Sequence, residues 1–349
     1  MDPLAVLMSK VWTTPVAKAD IVSAAETLKS RVQGLGNRQV VLPWIDEDHE
    51  TSSFVRFWFG GSQIVDLRRI AFVLDEMQSE TRGMKGEAAV DVLRLNLSRI
   101  IVTKEQAASL ARDTSHSRPH RVATESNYAV WNGFDRSLKS LIRRLDDEPP
   151  VEGAEIRIGD ARNLSDIQDG TVDAVVTSPP YLNAIDYLRG HRLSLVWLGR
   201  RISELRAIRS ESIGAERGLT DKVAQKSAEL TLESMGAIHS LPARLHAIVT
   251  RYAYDLASVT SEIARVTKSG GIATFVVGNS CISEVYIDNA SGLAHCATNS
   301  GFEEISRSER DLPANSRYLP VTVGALGRRM RKEVVLSFKR SERIDVKTP

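Results

Sequence analysis

Residues 177–181, Thr-Ser-Pro-Pro-Tyr, combine hydrogen-bonding groups and an aromatic ring on a stiff backbone. They follow an apolar run, residues 174–176, whose length and residue types are typical of a buried parallel strand. Two consecutive prolines cannot donate to a strand ladder and they hold the backbone extended, so strand pairing must stop there. The result is a rigid loop at the carboxyl end of a strand, where open α/β sheets bind ligands. A proline-rich turn without a function would show the same Pro-Pro, so the flanking residues must decide.

The flanks place further polar residues at the ends of neighbouring strands. Residues 155–158 alternate like a strand, and Gly159, Asp160 and Ala161 form a turn out of it. A short helix and turn then lead into the apolar run before Ser178. Downstream, residues 272–277 form a second buried strand that ends in Gly278, Asn279 and Ser280.

Ser-Pro-Pro-Tyr after an apolar strand resembles the catalytic loop of the amino-methyltransferases, which methylate exocyclic amines of bases with S-adenosylmethionine. The serine form resembles most the enzymes that act on the N4 amine of cytosine in DNA, whereas an aspartate form is commoner among adenine enzymes. The resemblance implies a restriction–modification type of DNA methyltransferase, with S-adenosylmethionine as cofactor and DNA as partner. Four catalytic residues follow from it: Ser178, Pro179, Pro180 and Tyr181.

The same resemblance implies a set of cofactor-binding residues. Asp160 accepts a hydrogen bond from the adenine amino group of the cofactor, the backbone of Ala161 frames the ring, and Thr177 lies on the cofactor side. At the N-terminus, Asp2 is predicted to cap a helix with Pro3 at its first position and Leu4 on its apolar face. Asp-Pro-Leu also resembles the segment after the second strand of these enzymes, close to the cofactor ribose, so Asp2, Pro3 and Leu4 are cofactor candidates.

Two elements of the family pattern are not found in this sequence. They are the glycine-rich cofactor loop and the ribose carboxylate, which precede the position of Asp2 in the pattern. Gly270 and Gly271 do not supply the loop, because they follow a long helical pattern and read as a helix cap and turn. We therefore expect a split or truncated methyltransferase, with these elements on a second polypeptide.

A basic segment follows the catalytic loop. Residues 189–217 contain seven arginines against three glutamates and no aspartate, which suits a phosphate backbone, although a solvated helix face would look the same. The substrate-contact segment is assigned to residues 189–240. The candidate substrate-binding residues are Tyr187, Arg189, His191, Arg192, Asn279, Ser280 and Arg317.

The apolar periodicity predicts an α/β fold with a Rossmann-like methyltransferase sheet, incomplete at its N-terminus, and a large helical insertion. Residues 1–14 begin the methyltransferase domain, 15–150 are the helical insertion, and 151–343 form the catalytic domain. A long helix is predicted from Leu245 to Val266, and the final strands at 302–306 and 333–338 close the sheet as an antiparallel edge hairpin.

Composition limits the remaining possibilities. The chain has 349 residues and a net charge of +2, so any nucleic-acid contact must come from a local basic patch. No run approaches the roughly 20 apolar residues that cross a bilayer, and no signal pattern opens the chain, so no membrane contact and a cytoplasmic location are expected. Two cysteines are too few for a zinc site or a disulfide framework, and no metal is expected. The alternatives are an adenine-N6 DNA or RNA base methyltransferase and a non-catalytic, methyltransferase-like subunit that binds nucleic acid.

Overall fold

The chain divides into two compact units in the computed structural model. The helical unit comprises residues 1–158 and 186–209, and the sheet unit comprises residues 159–185 and 210–349. The structure describes residues 2–84, 86–103, 106–112, 119–151, 153–182, 187–213, 222–311 and 332–342. No helix within these ranges has the length and apolarity that crossing a bilayer requires.

The helical unit contains a short hairpin beside its helices. The hairpin pairs β1 (Ala111–Arg112) with β2 (His120–Arg121). The helices of this unit are α1 (Pro3–Thr13), α2 (Lys18–Gly34), α3 (Pro43–Asp46), α4 (His49–Trp58), α5 (Gly61–Thr81), α6 (Glu87–Arg99), α7 (Val130–Asp147), α8 (Tyr187–Leu195) and the first turns of α9 (Ile202–Glu211). Residues 15–150, predicted as a helical insertion, all fall within this unit.

Helix α1 begins as the sequence predicts. The Asp2 side chain accepts a hydrogen bond from the Leu4 backbone N–H at 2.9 Å, and Pro3 occupies the first helical position. Leu4, Leu7 and Val11 recur on one face and are buried in the core of the helical unit.

Side chains from the N-terminal helices also fix the segment after the catalytic loop. The Trp44 indole N–H donates to the Val196 carbonyl at 2.8 Å, and the Thr51 hydroxyl accepts from the Ile202 backbone N–H at 3.0 Å. The turn after α8 and the start of α9 are thus tied to the N-terminal helices by hydrogen bonds as well as by packing.

The sheet unit is built on four strands in the order β3-β4-β8-β7. Strand β3 pairs parallel with β4, whereas β8 pairs antiparallel with both β4 and β7. The elements are β3 (Val172–Thr177), α10 (Lys222–Ser234), α11 (Ala243–Val266), β4 (Thr267–Gly278), β5 (Ser280–Ile282), β6 (Val285–Ile287), α12 (Asn289–Asn299), β7 (Phe302–Asp311) and β8 (Lys332–Arg340).

One face of this sheet forms the core of the unit. Alternate residues of β4 and β8, among them Phe275 and Phe338, are fully buried against apolar residues of α11 and α12. The two rings meet edge to face with centroids 5.9 Å apart. This packing fixes the carboxyl end of β4 beside the loop that follows β3.

The α/β class, the long helix and the closing antiparallel hairpin are confirmed, with the hairpin strands longer than predicted. The strand predicted at 155–158 is wrong: these residues are not in a strand, and Ile158 is 56% exposed. The helix-cap role of Gly270 and Gly271 is also wrong, because α11 ends at Val266 and both glycines lie inside β4. An alternating apolar pattern gives a strand only where a neighbouring strand pairs with its backbone, and none of the described strands pairs with residues 155–158.

Candidate active site

The loop of residues 178–181 leaves the sheet where the sequence predicts it. Thr177 is the last residue of β3 and lies opposite Phe275 of β4, so the loop projects from the carboxyl end of a parallel pair. Pro179 is buried, Ser178 and Pro180 are exposed, and Tyr181 is half-buried. The buried proline anchors the loop while the polar atom of Ser178 remains accessible.

The Ser178 hydroxyl has two protein neighbours. Its Oγ lies 2.9 Å from the Val276 carbonyl oxygen and 3.3 Å from the Tyr181 hydroxyl oxygen. A hydroxyl has one proton and two acceptor lone pairs. Donation to the Val276 carbonyl, the shorter of the two contacts, leaves lone pairs of Ser178 able to accept from a ligand.

Tyr181 is held through its hydroxyl. The Tyr181 O–H donates to Oε1 of Glu333 at 2.9 Å, and the Arg310 Nε–H donates to Oε2 of the same carboxylate at 2.8 Å. Burial raises the pKa of Tyr181, and the Glu333 carboxylate adds to this rise, while the contact with Ser178 opposes it. The phenol is therefore protonated at neutral pH and available as a donor.

Glu333 and Arg310 were not identified from the sequence. Glu333 stands at the start of β8, opposite Gly278 at the end of β4, and Arg310 lies opposite it on β7. Antiparallel pairing therefore brings them to the sheet edge that carries the catalytic loop. The residues around Glu333 in the sequence do not indicate that its side chain lies beside the catalytic loop.

Asp160 lies in the predicted turn and is engaged by Arg162. The Arg162 guanidinium donates to both Asp160 carboxylate oxygens and also to Asp255, whose side chain is 1% exposed. The hydrogen bond from Arg162 lowers the pKa of Asp160, although partial burial opposes the change. Asp160 is thus an ionised acceptor whose side chain is still 29% exposed. Ala161, beside it, is exposed.

Asn279 and Ser280 have internal partners. Ser280 is buried, donates to the Leu182 carbonyl at 2.7 Å and accepts from Asn289 at 2.8 Å. The Asn279 amide donates to the Tyr286 hydroxyl at 2.6 Å, and its oxygen accepts from the Ala290 backbone N–H. Ser280 therefore secures the end of the catalytic loop from inside the unit.

In the helical unit, Asp2 and His191 form a pair. The His191 Nδ1 lies 2.5 Å from Asp2 Oδ2, while Asp2 Oδ1 caps α1. Burial disfavours ionisation of Asp2, but the contacts with His191 and with the backbone N–H groups of Leu4 and Ala5 outweigh it, so the pKa of Asp2 is lowered. The Leu4 side chain is packed in the core, so only Asp2 and Pro3 of this trio have accessible side-chain surface.

The other substrate candidates lie on α8 or outside the described residues. Tyr187 is 60% exposed, and its ring centroid lies 6.1 Å from that of His191. Arg189 is half-buried, and the Arg192 guanidinium lies over the Phe54 ring at 5.2 Å from its centroid. Arg317 lies outside the described residues.

Comparison with known proteins gives a local match and distant structural likenesses. No protein-family model matches the chain. Over 46 residues, 12% of this chain and 9% of its relative, it is 52% identical to the Type II methyltransferase M.BsoBI of Geobacillus stearothermophilus. The chain thus matches about a tenth of the length of this curated relative.

The structural likenesses are to a DNA modification methylase of Thermus thermophilus. The selenomethionine form is 15% identical over 55% of this chain and 53% of that chain, with a TM-score of 0.28. The form complexed with S-adenosyl-L-methionine is 17% identical over 55% and 56% of the two chains, with a TM-score of 0.29.

Proposed function

We propose that this chain is the catalytic subunit of a DNA methyltransferase that transfers a methyl group from S-adenosylmethionine to an exocyclic base amine. The observation that carries the proposal is the arrangement of Ser178 and Tyr181 at the carboxyl end of β3, an acceptor hydroxyl beside a fixed aromatic ring. The 46-residue match to a Type II methyltransferase supports the same reaction class.

The chemistry of the amine explains why such a loop is useful. An exocyclic base amine is a poor nucleophile because its lone pair is delocalised into the ring, and the base must leave the stack to react. Ser178 Oγ and the Pro179 carbonyl accept the two amine hydrogens. This turns the lone pair toward the methyl donor and stabilises the positive charge that develops on nitrogen. Tyr181 stacks on the flipped base.

S-adenosylmethionine supplies an electrophilic methyl group on its sulfonium. Within the sheet unit, Asp160 fits the adenine of this cofactor, because an ionised and partly exposed carboxylate can accept from the exocyclic amine. Exposed Ala161 leaves room for the adenine ring, and Thr177 ends the neighbouring strand.

We further propose that a second polypeptide adds a strand, followed by a glycine-rich cofactor loop, to the outer edge of β3. Within the described residues this edge has no ladder partner. Exposed apolar edges are normally protected, yet Val176 is 79% exposed and β3 contains neither lysine nor proline. An added β-branched strand would satisfy the backbone groups of β3 and bury Val176.

The proposed product is 4-methylcytosine in DNA. The Ser178 hydroxyl, whose proton lies toward a protein acceptor, accepts one hydrogen of the amine. Cytosine and adenine both offer such an amine, so the preference for cytosine rests on the resemblance of the loop to cytosine-N4 enzymes.

The deciding experiment is nucleoside analysis after methyl transfer. DNA and, in a parallel reaction, RNA are incubated with isotopically labelled S-adenosylmethionine and the chain together with its partner, then digested, and the nucleosides are separated by mass. Labelled 4-methylcytosine supports the proposal. Labelled 6-methyladenine would overturn the assignment of cytosine, and label confined to RNA would overturn the assignment of DNA. Either result would still support transfer of a methyl group to a base amine. Nucleic-acid binding without any label would identify a non-catalytic subunit.

A further inference from the structure

Glu333 is joined to the catalytic loop by a continuous chain of hydrogen-bonding groups. Arg310 donates to Glu333, Glu333 accepts from Tyr181, and the Tyr181 hydroxyl lies beside Ser178. Only 12% of the Glu333 side chain is exposed, whereas Arg310 is 64% exposed. The sequence pattern gives Glu333 no role, and a surface ion pair with Arg310 alone would not require its contact with Tyr181.

The directions of the protons follow from the partners. A carboxylate paired with arginine only accepts, so the Tyr181 proton must point to Glu333. The Tyr181 oxygen can then only accept on its Ser178 side. The Ser178 proton therefore points to Val276 or to Tyr181, both protein acceptors. In either arrangement Ser178 presents lone pairs, and not its proton, to a substrate amine.

The same contact limits the motion of the Tyr181 ring. The backbone end of the ring is held by the Pro179–Pro180 segment, of which Pro179 is buried, and the hydroxyl end by Glu333. A tyrosine has two side-chain torsions, and fixing both ends removes the entropy that a mobile ring would lose on stacking.

We propose that Glu333 is a positioning residue, which holds the Tyr181 ring for stacking and sets the Ser178 hydroxyl as an acceptor. This inference rests on the proposed function for the roles of Tyr181 and Ser178, but the contact that it requires is testable without catalysis. Two measurements separate the contact from its use in the reaction.

The contact is tested by titrating Tyr181 in the full chain. The chain has seven tyrosines, so the phenols are labelled with ¹³C, and the Tyr181 resonance is assigned by its loss in Tyr181→Phe. In Glu333→Gln the pKa of Tyr181 should fall, because the negative charge that stabilises the protonated phenol is removed.

The matched control is Glu309→Gln. Glu309 forms a cross-strand ion pair with Lys332 at 2.8 Å in the same hairpin, and within the part of the chain that the structure describes it has no hydrogen bond or ion pair with the catalytic loop. Removing the charge of Glu309 in this variant should leave the titration of Tyr181 as it is in the unmodified chain. Identical Tyr181 titrations in the unmodified chain and Glu333→Gln would overturn the inference, whether or not the chain methylates DNA.

The role in the reaction is tested with the reconstituted enzyme. Glu333→Gln should lower kcat between about 10- and 100-fold, the effect of a misplaced reacting group, with little change in KM for S-adenosylmethionine. Combining it with Tyr181→Phe should add little further loss, because Tyr181→Phe already removes the hydroxyl through which Glu333 acts on the loop. Additive losses, or a kcat equal to that of Glu309→Gln, would overturn the positioning role. If the titration of Tyr181 shifts in Glu333→Gln but the reconstituted enzyme transfers no methyl group, the contact is supported and the proposed function is refuted.

Discussion

Both carboxylate oxygens of Asp160 accept hydrogen bonds from the Arg162 guanidinium, with Nε at 3.0 Å from Oδ1 and Nη2 at 2.6 Å from Oδ2. The same guanidinium donates to Asp255 at 2.9 Å, and Arg251 also contacts Asp255. The turn that carries the cofactor candidate Asp160 is thereby tied to helix α11. Arg162 both neutralises and orients the carboxylate.

Arg162→Gln should destabilise the sheet unit and weaken cofactor binding by the reconstituted enzyme. Breaking a buried ion pair costs about 3–5 kcal/mol, and we expect the lower end because Arg251 still pairs with Asp255. Urea unfolding and calorimetry measure the two effects. Arg307→Gln, which removes a surface pair with Glu304, is the control and should change stability by less than about 0.5 kcal/mol. Equal stability of the two variants would refute this role of Arg162.

Ser178→Ala should reduce methyl transfer far more than DNA affinity. The hydrogen bond from the substrate amine strengthens as positive charge develops, and losing such a preorganised group costs roughly 2–4 kcal/mol in the transition state. Single-turnover rates and DNA binding isotherms measure the two quantities. Equal losses of binding and turnover in Ser178→Ala would argue against its assignment as the acceptor.

Tyr181→Ala, in contrast, should weaken retention of the flipped base by roughly 1–3 kcal/mol.

Asp2→Asn should remove an acid-sensitive part of the stability of the helical unit. Asparagine also caps helices well, so the substitution removes the charge that faces His191 and keeps a cap oxygen. The pKa of Asp2 in the folded chain lies below its ordinary value of 3.8, so its stabilisation is complete above that value and disappears as pH falls through the folded pKa.

Denaturant unfolding of both chains between about pH 6 and about pH 3 checks this. The unmodified chain should be the more stable at the upper end, and the difference should shrink toward the acid end. A difference that fails to shrink as the pH falls below about 4 would show that the ionised carboxylate of Asp2 does not stabilise the fold.

The sequence predicted the elements whose signals are local, and missed contacts made by distant strands. Thr177 to Tyr181 could be placed because Pro-Pro ends a ladder at a definite residue, and Asp2 because a cap needs only its own helix. Ser280 followed a strand as expected, but its burial depends on Asn289 and Leu182, which no spacing relates to it. Glu333 reaches Tyr181 only through antiparallel pairing across the sheet.

The unmodified chain alone should bind S-adenosylmethionine weakly or not at all. A partner of about 50–200 residues, the usual size range of a domain, should restore binding if it supplies the glycine-rich loop. Calorimetry on the purified chain, with and without a polypeptide encoded beside its gene, measures this. Micromolar affinity of the chain alone would contradict the proposed partner.

The edge of β3 gives this prediction a specific variant. Val176→Lys places a charge on an exposed side chain, so the stability of the chain alone should change by less than about 0.5 kcal/mol. Partner binding should be lost, because lysine on an edge strand opposes strand addition. Val22→Lys, at an exposed position of α2, is the control. Partner binding that survives Val176→Lys would place the interface elsewhere.

Ser280→Ala distinguishes a structural role of Ser280 from contact with the substrate. Its hydroxyl donates to the Leu182 carbonyl and accepts from Asn289, and removing it leaves both buried groups without this partner. The free energy of unfolding should fall by about 1–3 kcal/mol, the usual cost of an unsatisfied buried group. DNA affinity, measured well below the unfolding temperature, should stay unchanged, because Ser280 is only 8% exposed. Loss of DNA affinity at unchanged stability would support the prediction that Ser280 binds the substrate and would refute its role as the anchor of the catalytic loop.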